Sequence, residues 1–148
     1  QTEIDILQPR YPQNRLKNAV VSSGKPAKSA FANIISSQNR RVNLISAKLF
    51  TGRTHQIRVH LASINRHILG DDLYGFKSNS DKISRIFLHA YILRLIHPKS
   101  NQIMEFKAPL PSEFYELISK EFNKEIVDEN ISVLCDIFGG IAQWMRYD

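Results

Sequence analysis

The residues best suited to chemistry lie in one short stretch, LFTGRTHQIRVHLASINRHILGDDLYG, which runs from Leu49 to Gly75. Arg58 stands out there because it lies beside an apolar face of the helix that the pattern predicts. A buried guanidinium without a partner is costly, so a half-buried arginine normally binds a carboxylate or a phosphate through two hydrogen bonds. The pattern equally allows an arginine whose head group reaches water. The stretch contains three arginines and three histidines: Arg53, Arg58, Arg66, His55, His60 and His67.

The histidines do not predict a metal site. His55 and His60 are five residues apart, whereas a zinc-binding helix needs two histidines at i and i+4 or a cysteine cluster elsewhere. No acid lies within the predicted helix, and no Gly-rich phosphate loop, dinucleotide motif or nucleophilic serine motif occurs. We therefore expect no metal site. A metal-dependent nuclease stays open as an alternative, because it would explain basic residues beside histidines.

Charge is strongly segregated along the chain. Between Ile6 and Gly70 there is no acidic residue, whereas the same stretch contains eleven lysines and arginines. The stretch from Ser112 to Asp148 contains eight acidic residues and three basic residues. Such a separation of charge favours the binding of a polyanion to the basic part, and nucleic acid is the commonest partner of this kind. A solvated basic face is an equally good explanation of charge alone.

Composition limits the class of protein. The 148 residues are 43% apolar and 23% charged, which is typical of a globular domain with a core of its own. No run of about 18 apolar residues is present, so we expect no membrane span. The one cysteine, Cys135, has apolar neighbours that predict an inert core thiol. A single cysteine excludes an internal disulfide framework and favours the cytoplasm.

Hydrophobic periodicity predicts the elements that carry this stretch. Residues 1–18 are expected to be extended, and Gly24 to Pro26 to form a turn between two strands. The segment RRVNLISAKLF predicts a strand with a bulge near Ile45 and Ser46. A helix is expected to begin at His55, capped by Thr54. Its apolar face would consist of Ile57, Leu61 and Ile64.

The second half predicts a strand, a hairpin and helices. GDDLYG is typical of a loop, and RIFLHAYILRLIH alternates with both faces largely apolar, as a central or nearly central strand does. NQIMEFKAPLP would pair with it as a hairpin. A helix capped by Ser112 would open a helical C-terminal part over residues 112–148. The order favours one α+β domain over residues 1–148, with a mixed, largely antiparallel sheet and flanking helices.

Several motifs together resemble one known family. FTGRTHQIRVHLA, GDDLYG, LHAYILRLIHP and FKAPLP, preceded by VVSSGKPAKSA, are similar to the later part of the catalytic domain of the RluA-type pseudouridine synthases. The resemblance covers about residues 9–114. It implies an RNA isomerase that cuts the N-glycosidic bond of a uridine in structured ribosomal or transfer RNA, turns the base and rejoins it through carbon. The family uses one aspartate and neither cofactor nor metal.

One part of the family pattern is missing. The nucleophilic aspartate lies in a motif of the type H-R-L-D-x-x-T-S-G, and no such motif occurs in these 148 residues. The chain is therefore expected to be a fragment that is inactive alone and whose upstream segment carries the aspartate. Asn65-Arg66-His67 also differs from the Gly-His-Pro turn of many relatives. A non-catalytic RNA-binding module is the alternative that the missing aspartate leaves open.

The resemblance also assigns roles to individual residues. Arg58 corresponds to the arginine that pairs with the nucleophilic aspartate, and Leu88 to a leucine that lines the uracil pocket. Asp71 corresponds to a loop aspartate with a structural role. Because no partner for Arg58 is expected within the chain, Arg58→Leu should leave residues 1–148 as stable as before. The residues expected to order the motif or to bind RNA are Arg53, His55, Gln56 and Lys25.

Overall fold

Five strands and two helices form the part of the chain that the computed structural model describes, which is residues 2–8, 24–39, 41–75, 83, 85–123 and 127. The α+β class is confirmed, and the two strand pairs with a defined register are antiparallel. Within these residues no helix has the length and apolar character that crossing a membrane requires. The elements are β1 (Thr2–Gln8), β2 (Lys25–Ser36), β3 (Asn43–Leu49), α1 (Gln56–Ser63), β4 (Ile92–Ile96), β5 (Ile103–Lys107) and α2 (Ser112–Glu121).

The chain divides into two compact units, each built from two separate chain segments. The first unit comprises Gln1–Phe31 and Ala47–Leu88, and the second comprises Ala32–Ser46 and His89–Asp148. Strands β2 and β3 therefore contribute residues to both units. The single domain over residues 1–148 stays a prediction.

Strands β1, β2 and β3 form one sheet in that order. β1 pairs with β2 from Thr2 opposite Phe31 to Gln8 opposite Lys25. The turn predicted at Gly24 to Pro26 is therefore wrong, because Lys25 and Pro26 already lie in the strand. The Gly-Lys-Pro sequence favours a turn locally, but pairing with a strand that is distant in sequence overrides that preference. The strand predicted before the turn, at residues 19–23, lies outside the described residues.

The core of the first unit lies between β2 and α1. Phe31 and Leu61 are buried there, and Ala47, Ile57 and Ile68 pack against them. On β2, small residues at Ala27 and Ala30 are fully buried. β3 confirms the predicted strand, in which Lys48 is buried and Leu49 is 43% exposed. The bulge stays a prediction.

Helix α1 differs from the prediction at both ends. Its N-cap is His55 rather than Thr54, and no side chain caps it. The helix ends at Ser63, and Asn65 has a φ of 55° in the turn that follows. Because Ile64 lies in this turn, it is 46% exposed and does not extend the predicted apolar face. The buried helix residues are Gln56, Val59, His60 and Leu61.

The second unit contains a two-stranded hairpin and α2. β4 and β5 pair from Ile92 opposite Lys107 to Ile96 opposite Ile103, which confirms the predicted hairpin. The prediction of a central or nearly central strand is wrong within the described residues, because β4 has only β5 beside it. An alternating pattern shows which side chains share a face of the strand, but it does not show how many strands lie beside it. With one neighbouring strand, Leu93 is 58% exposed.

Helix α2 is present where the amphipathic pattern predicts it. Its N-cap is Pro111, so the cap predicted at Ser112 is wrong, whereas Glu113 supplies the expected acid in the first turn. Phe114 is buried on this helix, and its ring centroid lies 5.9 Å from that of His89. Residues 128–148, with Cys135 and the predicted helical tail, lie outside the described residues.

Candidate functional site

Arg58 and Asp71 form a bidentate ion pair in the first unit. Nε of Arg58 donates to Oδ2 of Asp71 over 2.9 Å, and Nη2 donates to Oδ1 over 2.7 Å. The arginine side chain is 18% exposed and the aspartate side chain 1%. The half-buried position predicted for Arg58 is confirmed. The expectation that the chain contains no carboxylate partner for Arg58 is wrong.

The backbone of the loop after α1 places the carboxylate of Asp71 within hydrogen-bond distance of the Arg58 guanidinium. Oδ1 of Asp71 also accepts hydrogen bonds from the backbone N–H groups of Leu73 and Tyr74, at 3.1 and 3.0 Å. Gly70 has a φ of 76°, and a Cβ there would overlap the carbonyl oxygen of Arg85. Gly75 donates its N–H to the carbonyl of Asp71 over 2.8 Å. The two glycines thus permit a tight loop that the carboxylate itself holds closed.

Tyr74 covers the ion pair from the side. The guanidinium carbon of Arg58 lies 5.0 Å from the centroid of the tyrosine ring, within cation–π range. The hydroxyl of Tyr74 lies 3.1 Å from Nδ1 of His55, whose ring meets the tyrosine edge-on. His55, Arg58, Asp71 and Tyr74 together are called the Arg58 cluster below. Tyr74, a loop residue that was not predicted for the site, thus contacts both His55 and Arg58.

His55 has an unusual backbone conformation at the start of α1. Its φ is 56°, in the left-handed region that non-glycine residues adopt rarely. Its carbonyl accepts the N–H of Val59 over 2.9 Å, which begins the helical hydrogen-bond pattern. The sharp change of direction at His55 turns its ring toward Tyr74 and places Arg58 on the first turn of the helix.

The protonation states in the Arg58 cluster follow from burial and charge. Burial is the largest influence on Asp71 and raises its pKa, but hydrogen bonds from Arg58, Tyr74 and Leu73 and the charge of Arg58 together hold the pKa below its usual value. The hydrogen bond to Asp71 raises the pKa of Arg58. Burial, and then the charge of Arg58, lower the pKa of His55. At neutral pH the ion pair is therefore fully charged and His55 is neutral.

Asp71 occupies only one edge of the Arg58 guanidinium. A guanidinium carries five N–H donors in a planar fork. The hydrogen bonds from Arg58 to Asp71 use Nε and one hydrogen of Nη2. The second edge, formed by Nη1 and the other hydrogen of Nη2, has the geometry to bind another carboxylate or a phosphate. One arginine in this position can therefore join two acidic groups.

Gln56 is buried and uses all of its polar capacity inside the first unit. Its Nε2 donates to the carbonyl of Lys28 and to the hydroxyl of Ser29, at 2.9 and 2.8 Å. Its Oε1 accepts from the hydroxyl of Thr51 and from the N–H of Arg53, at 2.7 and 3.0 Å. These contacts tie the loop before α1 to strand β2. Of the two roles expected for Gln56, ordering the motif and binding RNA, these contacts support the first.

The remaining residues predicted for the site are exposed. Arg53 is exposed, and its Nε donates to the carbonyl of Pro26 over 3.1 Å. Lys25 is exposed at the start of β2, close in sequence to that carbonyl. Leu88 is 37% exposed at the end of the first unit. Binding of RNA by Lys25 and Arg53, and of uracil by Leu88, stay predictions.

The histidines of the stretch have separate surroundings. His55 contacts Tyr74, whereas His60 is fully buried on α1. Within the part of the chain that the structure describes, no three His, Cys, Asp or Glu side chains are placed to hold a metal ion.

Comparison with known proteins assigns the chain to a family. The sequence profile described as RNA pseudouridylate synthase matches residues 1–63. One relative is an uncharacterised RNA pseudouridine synthase of Helicobacter pylori, strain ATCC 700392 / 26695. It is 48% identical to this chain over 126 residues. The match covers 81% of this chain and 38% of the relative. The chain belongs to the RNA pseudouridine synthase family. The RluA-type resemblance predicted from the motifs is confirmed.

Two further proteins support the assignment to this family. Ribosomal large subunit pseudouridine synthase D of Pasteurella multocida is 39% identical over 127 residues, covering 78% of this chain and 39% of the relative. The solved structure of human RNA pseudouridylate synthase domain containing 1 superposes with a TM-score of 0.63 at 27% identity, covering 74% of this chain and 48% of that one. The chain thus spans less than two fifths of the length of these curated relatives.

Proposed function

We propose that the full-length protein is an RNA pseudouridine synthase that isomerises a specific uridine in ribosomal or transfer RNA. The observation that carries the proposal is Arg58, which lies in the arginine motif of the family, is half-buried, and uses only Nε and Nη2 in its contact with Asp71. The reaction breaks the bond between C1′ of the ribose and N1 of uracil and forms a bond between C1′ and C5; C5 then loses its proton, and N1 takes one up. No cofactor is required.

The nucleophile comes from an upstream segment of the same protein. Its aspartate binds the second edge of Arg58, which aims the carboxylate at the flipped uridine. An opposite charge at close range lowers the pKa of a carboxylate and keeps it ionised at neutral pH. The nearby ring of Tyr74 limits the access of water to the guanidinium, which strengthens the attraction between the two charges. Arg58 thus orients and stabilises the group that attacks.

RNA binds to the basic part of the chain. The exposed Lys25 and Arg53 neutralise phosphates, and Leu88 contacts the uracil ring after the base leaves its helix. Gln56 acts indirectly, because it fixes the loop that carries Arg53. Structured RNA in the cytoplasm is the proposed substrate, consistent with the single cysteine of the chain.

The test compares the full-length protein with residues 1–148 alone. We expect the full-length protein to release tritium from C5 of labelled uridine in RNA, and residues 1–148 to release none. Turnover by a preparation of residues 1–148 free of longer forms would contradict the assignment of the nucleophile to an upstream segment. Mapping the pseudouridines that disappear in a deletion strain would identify the target RNA.

A non-catalytic RNA-binding module is the competing function. It is favoured by the absence of an H-R-L-D motif from these 148 residues. If the full-length protein binds structured RNA, lacks that motif and forms no pseudouridine, RNA binding without catalysis replaces the proposal.

A further inference from the structure

We infer that the loop between β2 and β3, residues 37–42, is a surface that binds the substrate RNA and helps to select it. Arg41 binds a phosphate there, and the side-chain amides of Asn39 and Asn43 donate hydrogen bonds to acceptor atoms of structured RNA. The inference rests on the function proposed above. It concerns three residues to which neither the family motifs nor the Arg58 cluster gives a role.

Ser37 closes this loop from inside. Its N–H donates to the carbonyl of Val42 over 2.8 Å, and the N–H of Val42 donates to the hydroxyl of Ser37 over 3.1 Å. Ser37 is 3% exposed. The two hydrogen bonds join the end of β2 to the start of β3 and give the loop a defined backbone before any partner binds. A surface that is ordered in advance loses less conformational entropy on binding.

The side chain of Asn39 is oriented by the same closure. Its Oδ1 accepts the hydroxyl of Ser37 over 2.7 Å and the backbone N–H of Arg41 over 3.0 Å. Because the oxygen is used inside the loop, the two N–H donors at Nδ2 are the part of this exposed amide that a partner can bind. Arg41 is also exposed, and the bond from its backbone fixes where its side chain leaves the loop.

A second set of hydrogen bonds orients Asn43. Nδ2 of Asn33 donates to the hydroxyl of Ser36 over 3.2 Å, and this hydroxyl donates to Oδ1 of Asn43 over 2.6 Å. All three residues are exposed. The oxygen of Asn43 is thus directed to Ser36, and its Nδ2 donors are the groups that a partner can bind. Asn39 and Asn43 therefore offer the same kind of group on the two sides of Arg41.

Charge and hydrogen-bonding capacity together indicate the partner. The loop offers N–H donors from two amides and one guanidinium, and it lies in the stretch between Ile6 and Gly70 that contains no acidic residue. A matching partner is negatively charged and rich in acceptors. RNA meets both requirements, because its phosphates, 2′-hydroxyls and unpaired base edges accept hydrogen bonds. The chain also belongs to a family of enzymes that act on RNA.

The experiment uses the full-length protein with two probes, unmodified transcripts of large-subunit ribosomal RNA and of transfer RNA. Asn43→Asp keeps the oxygen that accepts from Ser36 but replaces the outward N–H donors by a second oxygen. Arg41→Ala removes the guanidinium and keeps the backbone N–H that binds Asn39. Asn101→Asp is the matched control, because it makes the same change of charge at an exposed position between β4 and β5.

For Asn43→Asp we expect both the Kd and the KM of the modified RNA to rise roughly 10-fold, as expected for a donor that is replaced by an acceptor. The kcat should stay unchanged, because a contact of this kind binds substrate and transition state equally. The loss of affinity should persist at high salt, where repulsion between charges is screened. Asn101→Asp should match wild type in Kd and KM.

Arg41→Ala should raise the Kd and lower the slope of log affinity against log salt by about one unit, the effect of one phosphate contact. Arg41→Lys keeps the charge and should restore the slope. Melting curves of all variants establish that the comparison is made between folded proteins.

The possible outcomes separate this surface from the proposed activity. If neither Asn43→Asp nor Arg41→Ala changes affinity or salt slope, the loop is a solvated turn and the inference is wrong. An equal loss of affinity in Asn43→Asp and Asn101→Asp would assign the effect to added charge and would also overturn it, as would a fall in kcat at an unchanged KM. If the wild-type protein forms no pseudouridine while the variants change the Kd as expected, the proposed activity is wrong and the RNA-binding surface stands.

Discussion

The carboxylate of Asp71, 1% exposed, binds two nitrogens of Arg58 at 2.9 and 2.7 Å within the same unit of the chain. This ion pair changes the effect that Arg58→Leu is expected to have on the stability of residues 1–148. A lone Arg58 could be replaced by leucine without loss, whereas a paired Arg58 cannot, because its removal leaves a buried negative charge. Removing one member of a buried ion pair costs more free energy of unfolding than replacing both members, and that difference can be measured.

Arg58→Leu is expected to destabilise residues 1–148 by about 3–5 kcal/mol, the cost of leaving one member of a buried ion pair alone. The free energy of unfolding from urea denaturation measures this change. Arg66→Leu is the matched control, because Arg66 is exposed and its side chain should contribute little. Adding Asp71→Asn to Arg58→Leu should recover part of the loss, since no buried charge then remains. Equal stability of Arg58→Leu and wild type would show that the ion pair does not form in solution.

Acid should weaken the Arg58–Asp71 pair in a defined pH window. The pKa of Asp71 in the folded protein lies below its ordinary value of 3.8. A carboxyl group with a lowered pKa contributes stability that is fully present above its unfolded pKa and is lost as pH falls through the folded pKa. The unfolding free energy of wild type should therefore fall toward that of Asp71→Asn as the pH drops from the ordinary value of 3.8 through the lower pKa of the folded protein.

Two comparisons make the acid experiment specific. Asp72→Asn, at an exposed neighbour of Asp71, should follow the wild-type curve. A gap between wild type and Asp71→Asn that stays constant over the whole window would mean that the ionisation of Asp71 does not support the fold.

Gln56→Glu tests the loop that precedes α1. The substitution removes the two N–H donors that bind the carbonyl of Lys28 and the hydroxyl of Ser29, and it places a buried carboxylate against both oxygens. We expect a loss of about 1–3 kcal/mol or more in unfolding free energy, the usual cost of a buried polar group without its partner. Gln102→Glu, at an exposed position, is the control and should be close to neutral. A neutral Gln56→Glu would contradict the buried hydrogen-bond network.

Local patterns predicted the hairpin and helix α2 because those elements depend on neighbours in sequence. The pairing of Arg58 with Asp71 was not predicted, since the two residues are thirteen positions apart in sequence and a turn lies between them. The GDDLYG loop nevertheless contains a signal: an aspartate three residues before Tyr74 can accept the tyrosine N–H and close the loop. The strand at Lys25 could not be foreseen, because its partner β1 lies far away in sequence.

The salt dependence of RNA binding tests the basic segment that contains no acid. Lys25 is exposed, whereas the ammonium of Lys28 lies 4.9 Å from the centroid of the Phe50 ring. Binding of structured RNA should weaken steeply with salt, because each neutralised phosphate releases counterions. Replacing Lys25 and Lys28 together by alanine should flatten the plot of log affinity against log salt by up to about one unit for each phosphate that is no longer neutralised.

A graded set of variants separates the two lysines in the same titration. Lys25→Ala alone should produce most of the change in slope, because the Lys28 ammonium is drawn toward an aromatic ring of its own unit. Lys99→Ala removes an exposed positive charge from the turn between β4 and β5 and should leave the slope unchanged. If Lys99→Ala changes the slope and the Lys25 and Lys28 variants do not, RNA binds the second unit, and the acid-free segment is a solvated basic face.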